Sequence, residues 1–144
     1  METGISTTRL DPDSGERFQS LRRELGVTTF GMNLITLQPG ERGRIHRHER
    51  QEEVFLVMEG VLDLETPDGT TEVPAHSAAR VAPDVLRRLV NRGPGRTVIL
   101  ALGGATPHDG RDGQAFTDFG DSEARAPQDI PLPENLPAEE LREA

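Results

Sequence analysis

The 144-residue chain contains no cysteine, lysine, tyrosine or tryptophan. Without cysteine there is no disulfide framework, no thiolate zinc knuckle and no thiol nucleophile. Without lysine, Schiff-base chemistry on a side-chain amine is excluded. The five phenylalanines are too few to build stacking platforms for single-stranded nucleic acid. No apolar run approaches membrane-spanning length. The first fifteen residues lack the basic-then-apolar order of a secretory signal. These absences predict a cytoplasmic protein with no membrane or nucleic-acid partner. Also missing are a serine nucleophile elbow, a phosphate-cradling glycine loop and a dinucleotide fingerprint; the glycine-rich run 103–113 lacks the required spacing.

The net charge of −9 sits mainly at the ends. Residues 1–16 carry −3 and residues 120–144 carry −5, which leaves −1 for residues 17–119. Acidic ends serve solubility, and a near-neutral centre offers no basic footprint for nucleic acid. The length fits one domain able to bury its own core. The boundaries read as a flexible arm over 1–16, a folded domain over 17–119 and an acidic, proline-rich tail over 120–144.

The patterning is that of strands. Residues 18–25 are ambiguous between a short helix stopped by Gly26 and an edge strand. From 27 to 37 the chain is rich in β-formers, with Phe30, Met32 and Leu34 on one face. Further short strands follow at 44–48, 53–58, 61–65, 71–73, 79–82, 85–90 and 97–102, separated by turn residues. Beyond 104 the chain reads as polar loop, with a short terminal helix over 137–143. Many short strands and no long helical period predict an antiparallel sandwich or barrel. The apolar set expected to face inward is Phe30, Met32, Leu34, Phe55, Val57, Leu62, Leu64, Leu89 and Leu100.

Within this pattern, His46 and His48 alternate, so on a strand both rings point to one face. Glu53 opens the next apolar run. If that run pairs back as a neighbouring strand, its carboxylate reaches both imidazoles. Two histidines and a carboxylate form a first-row transition-metal site. The plainer alternative is two solvated histidines among arginines.

The spacing Gly40, five residues, His46-x-His48, four residues, Glu53, six residues, Gly60 matches the first signature motif of the cupin superfamily, which this chain resembles over roughly residues 27–102. The second motif is partial. Pro83 and Asn91 match it, Asp84 stands where a turn glycine is usual, and the family's third histidine falls on Arg87. The resemblance implies an all-β fold, an antiparallel double-stranded β-helix or jelly-roll barrel, with His46, His48 and Glu53 as ligands to iron, manganese, nickel or zinc. His76 falls where resembling proteins often show a turn glycine, away from the metal. His108 lies in the polar segment beyond the last strand, a solvated loop histidine unless that segment folds over the barrel mouth.

Alternation puts Arg87 on the face of Val85 and Leu89, so the guanidinium points inward if those two do. Arginine has no lone pair to offer a metal. Three arrangements follow: an anion bridging metal and Arg87, Arg87 itself in the cation position paired with Glu53, or Arg87 turned outward. Arg44 shares the face of the two histidines, and Arg44 and Arg87 together form a candidate clamp for a small anionic molecule. Two functions fit best, a metal-dependent oxygenase or isomerase, or a non-catalytic binding or sensing module that has lost the metal; a purely structural role is the third alternative. The run 53–58 is apolar on both faces beyond Glu53, so a second layer must cover it. Resembling proteins often pair sheets across a dimer interface, which makes a homodimer the expectation; coverage by the N-terminal segment is the alternative.

Overall fold

A computed structural model describes residues 4–105 and 111–143; His108 lies outside the described residues. Among the described residues there are ten strands: β1 (Phe18–Ser20), β2 (Gly31–Leu37), β3 (Ile45–His48), β4 (Glu52–Glu59), β5 (Val61–Thr66), β6 (Gly69–Pro74), β7 (Ala78–Val81), β8 (Arg88–Val90), β9 (Thr97–Gly104) and β10 (Gly113–Phe116). One helix, α1 (Leu21–Leu25), follows β1 directly. The first sheet has the order β1-β2-β9-β4-β7. The second is built from β6-β5-β8 and β3-β10, joined where His46 and Arg87 exchange two backbone hydrogen bonds of 3.0 Å. Every pairing is antiparallel. The double-stranded β-helix is therefore the fold.

The ambiguous run 18–25 resolves into both readings. Three residues pair with β2 as an edge strand, then Ser20 caps α1 by accepting from the Arg23 N–H, and Gly26 ends it in the left-handed conformation. The strand expected over 27–37 begins only at Gly31. The expected terminal helix is a single 3-10 turn over Ala138–Glu140. The segment read as polar loop contains β10, which pairs with β3.

The core between the sheets contains Leu37, Phe55, Val57, Leu62, Leu64, Leu89 and Ile99. Four residues expected to face inward do not. Leu34, Met32 and Leu100 belong to a second cluster in which Leu21 and Leu25 of α1 cover the outer face of the first sheet, and Phe30 is exposed. β2 is apolar on both faces because each face has its own cover. The α1 cover stops short of β4, whose Leu56 and Met58 remain 40% and 38% exposed.

The ends lie along the barrel. Arg96 pairs with Asp13 of the N-terminal arm. The C-terminal segment is fastened by Arg42 donating to the Glu134 carbonyl, by Leu136 N–H donating to the Gly40 carbonyl, and by Arg142 against the buried Asp63 at 2.8 Å. No helix among the described residues is long and apolar enough to cross a membrane.

Candidate metal centre

The three predicted ligands converge, by a route other than the one expected. β4 does not pair with β3; it lies in the first sheet between β9 and β7. His46 and His48 point inward from the second sheet, and Glu53 meets them from the opposite side of the barrel. The Nε2 atoms of His46 and His48 lie 3.1 and 3.4 Å from Glu53 Oε1. One ligand atom from each residue falls within 4.8 Å of the others.

The opposite ring nitrogens define what the Nε2 atoms can do. His46 Nδ1 lies 3.2 Å from the Arg44 carbonyl, and His48 Nδ1 lies 2.8 Å from Asp112 Oδ1. Both partners accept only, so Nδ1 carries the proton on each ring. The Nε2 of a neutral imidazole then presents a lone pair to a carboxylate oxygen. Two acceptors this close repel unless a proton or a metal ion lies between them. Two imidazole nitrogens and a carboxylate, oriented this way by outer partners, fit a first-row divalent ion.

Arg87 is fully buried and points into the same site, which excludes the outward arrangement. Its Nε and Nη2 both donate to Glu53 Oε1, at 3.2 and 2.5 Å. Its Nη1 donates to the carbonyls of Ala82, Pro83 and Val85. The guanidinium thus holds the turn before β8 as well as Glu53. Glu53 Oε2 accepts no hydrogen bond among the described residues. Burial alone would raise the Glu53 pKa. Without a metal, a proton on Nε2 takes its place, and the resulting hydrogen bonds from His46 and His48, with the charges of His46 and Arg87, outweigh burial and hold that pKa well below the usual carboxylate value. For His48 burial acts downward, but the hydrogen bond and charge of Glu53, with Asp112, raise it above the ordinary imidazole value.

Arg44, half-buried, lines the inner cavity and donates through Nε to the Ile130 carbonyl at 2.8 Å. His76 is exposed in the turn before β7, at φ 66°, the left-handed conformation that glycine usually fills. Asn91 is structural: its amide bonds the Leu37 and Gly95 carbonyls and accepts from Gly93 N–H.

Asp112 escaped the sequence reading. Its carboxylate, buried beside His48, also accepts from the backbone N–H groups of Arg50 and Gln51 and from the Gln51 side chain. It therefore holds the turn between His48 and Glu53. Its polar, glycine-rich surroundings gave no periodic signal; the demand of a ligating histidine for an acceptor on its second nitrogen was the available clue. Asp112→Asn places an amide N–H against one of these donors and frees the His48 tautomer. Divalent-metal affinity is expected to fall by about 10- to 100-fold, as measured by calorimetric titration with zinc; an unchanged affinity would count against the orienting role.

The cupin domain family model matches residues 33–103. The chain belongs to the cupin superfamily. Solved structures of other cupins are similar to it in fold. A cupin protein from Bacteroides fragilis is 16% identical, with a TM-score of 0.64 over 72% of this chain and 86% of the other. A protein from Silicibacter pomeroyi, described as a sugar phosphate isomerase from a cupin superfamily, is 25% identical, with a TM-score of 0.60 over 90% of each chain. A putative sugar phosphate isomerase from Acidithiobacillus ferrooxidans is 19% identical, with a TM-score of 0.59 over 82% of this chain and 80% of the other. Among curated proteins, none matches the chain.

Proposed function

We propose that this cupin is a metal-dependent enzyme acting on a small anionic molecule, with His46, His48 and Glu53 as ligands to iron, manganese, nickel or zinc. The observation that carries the reading is the orientation of both Nε2 lone pairs toward one carboxylate oxygen, with each Nδ1 proton held elsewhere. A bound divalent ion would supply Lewis-acid polarisation of a substrate oxygen, or oxygenation chemistry where the ion is iron. Similarity to the Silicibacter protein favours isomerisation of the two. The chain's own residues do the rest. Arg87 keeps Glu53 ionised and fixed, Arg44 supplies the positive charge that draws an anion, and the apolar wall excludes water.

A second reading is a non-catalytic binding module. It is favoured by the guanidinium of Arg87, which stands where the family places a third histidine and already compensates Glu53. Metal analysis of protein purified without an affinity tag separates the two. Stoichiometric metal, lost in His46→Ala, supports the enzyme; a metal-free protein that takes up neither manganese nor zinc supports the binding module.

We also propose that the protein is a homodimer through the outer face of β4 and β7. That face carries exposed Leu56 and Met58 beside the Glu52–Arg80 pair, an apolar patch with both charges that a two-fold copy complements. Light scattering at micromolar concentration is expected to give the mass of two chains. A monomer there would defeat the dimer.

A further inference from the structure

Beyond the metal ligands, the inner cavity of about 240 Å³ has a lopsided wall. β2 contributes Ile35 and Leu37, β4 contributes Phe55, β8 contributes Leu89, and Pro127 comes from the C-terminal segment. Among the described residues, the other polar side chains that line it are Arg44 and Asn33. The terminal nitrogens of Arg44 have no partner among the described residues, which leaves the fork that matches a carboxylate. The volume is below the ~300–1,000 Å³ usual for drug-sized ligands, so the occupant is small.

We infer that this chamber takes a small carboxylic acid with an apolar body, its carboxylate on Arg44 and its hydrocarbon portion against Ile35, Phe55 and Leu89. The inference names the substrate class for the proposed function and rests on that reading for its chemistry, but not for binding. Each methylene moved from water into such a wall improves affinity about fourfold. Each hydroxyl left without a partner there weakens it roughly five- to a hundredfold. Among the described residues, Asn33 is the one neutral side chain outside the ligand set able to receive one, so a polyhydroxylated phosphate ester is poorly served. A second cavity of about 210 Å³ reaches His48 and Glu53 from the other side and is more polar, with Ser20, Arg22, Asn33 and Gln51 in its wall. A sugar phosphate would have to rely on that side.

Calorimetric titration of the full chain tests this, with and without zinc. The probes are benzoate, hexanoate, benzamide as the neutral isostere, and ribose 5-phosphate. Benzoate and hexanoate are expected to bind at least about tenfold more tightly than either other probe. Arg44→Gln is expected to cost benzoate about tenfold and benzamide little. Ile35→Thr is expected to weaken hexanoate. Ribose 5-phosphate binding as tightly as benzoate, especially if lost in Arg22→Ala, would overturn the inference. So would failure of both acids to bind at millimolar concentration. Absence of zinc binding with acid selectivity intact would defeat the metal reading alone.

Discussion

Arg87→His is expected to tighten divalent-metal binding by at least ~10-fold. A fixed positive charge about 5 Å from a divalent ion is repelled by roughly 6–7 kcal/mol at an effective dielectric near 20. Relief of only a fifth of that is a tenfold change in affinity. The substitution also supplies a ligand in a suitable place. Residues 46 and 87 form a hydrogen-bonded antiparallel pair, so their side chains stand next to each other on one face. Calorimetric titration of both proteins with manganese or zinc reads the difference. Equal affinities would show that Arg87 does not share the site.

Arg87→Met is expected to destabilise the metal-free protein by ~3–5 kcal/mol. It leaves Glu53 with no fixed cation and removes the donor that serves the Ala82, Pro83 and Val85 carbonyls. Breaking a buried pair from one side is far costlier than replacing both partners. Adding Glu53→Gln should therefore recover part of the loss. Excess zinc should recover part of it in the single variant, because an ion bound only by the folded state stabilises it. Urea unfolding of the three proteins is the measurement. A loss below about 1 kcal/mol would mean that the Arg87–Glu53 pair contributes as little as an exposed one.

The site was legible in the sequence where it depended on local spacing. Alternation placed His46 and His48 on one face, and the interval to Glu53 with its flanking glycines pointed to the family. Alternation also put Arg87 on one face with Val85 and Leu89; Arg87 and Leu89 are buried, but Val85 lies in the turn before β8 and is exposed. The path of the carboxylate was not legible. Glu53 reaches the histidines across the barrel because β4 crosses to the opposite sheet, and pairing between distant strands leaves no local trace. For the same reason the pairing of β10 with β3, and with it Asp112, was hidden in a segment that reads as loop.

The inward face of β2 was misread for a different reason. Leu34 and Ile35 are both apolar, so the period of two says which residues share a face but not which face is the barrel interior. The answer lay in α1, five residues whose Leu21 is fully buried against Leu34 and Val98. A helix that short has too little periodic signal to announce that it covers a sheet.

The proposed metal centre requires that both Nε2 atoms be presented to a cation while both Nδ1 atoms keep their protons. Long-range nitrogen-15 NMR of the imidazole rings reads this directly, on metal-free protein and during titration with zinc. Protonated Nδ1 is expected on His46 and His48 throughout, with both Nε2 resonances shifting together as one equivalent of zinc is added. Nε2 resonances that stay in place under zinc, or a shift at Nδ1 instead, would contradict it.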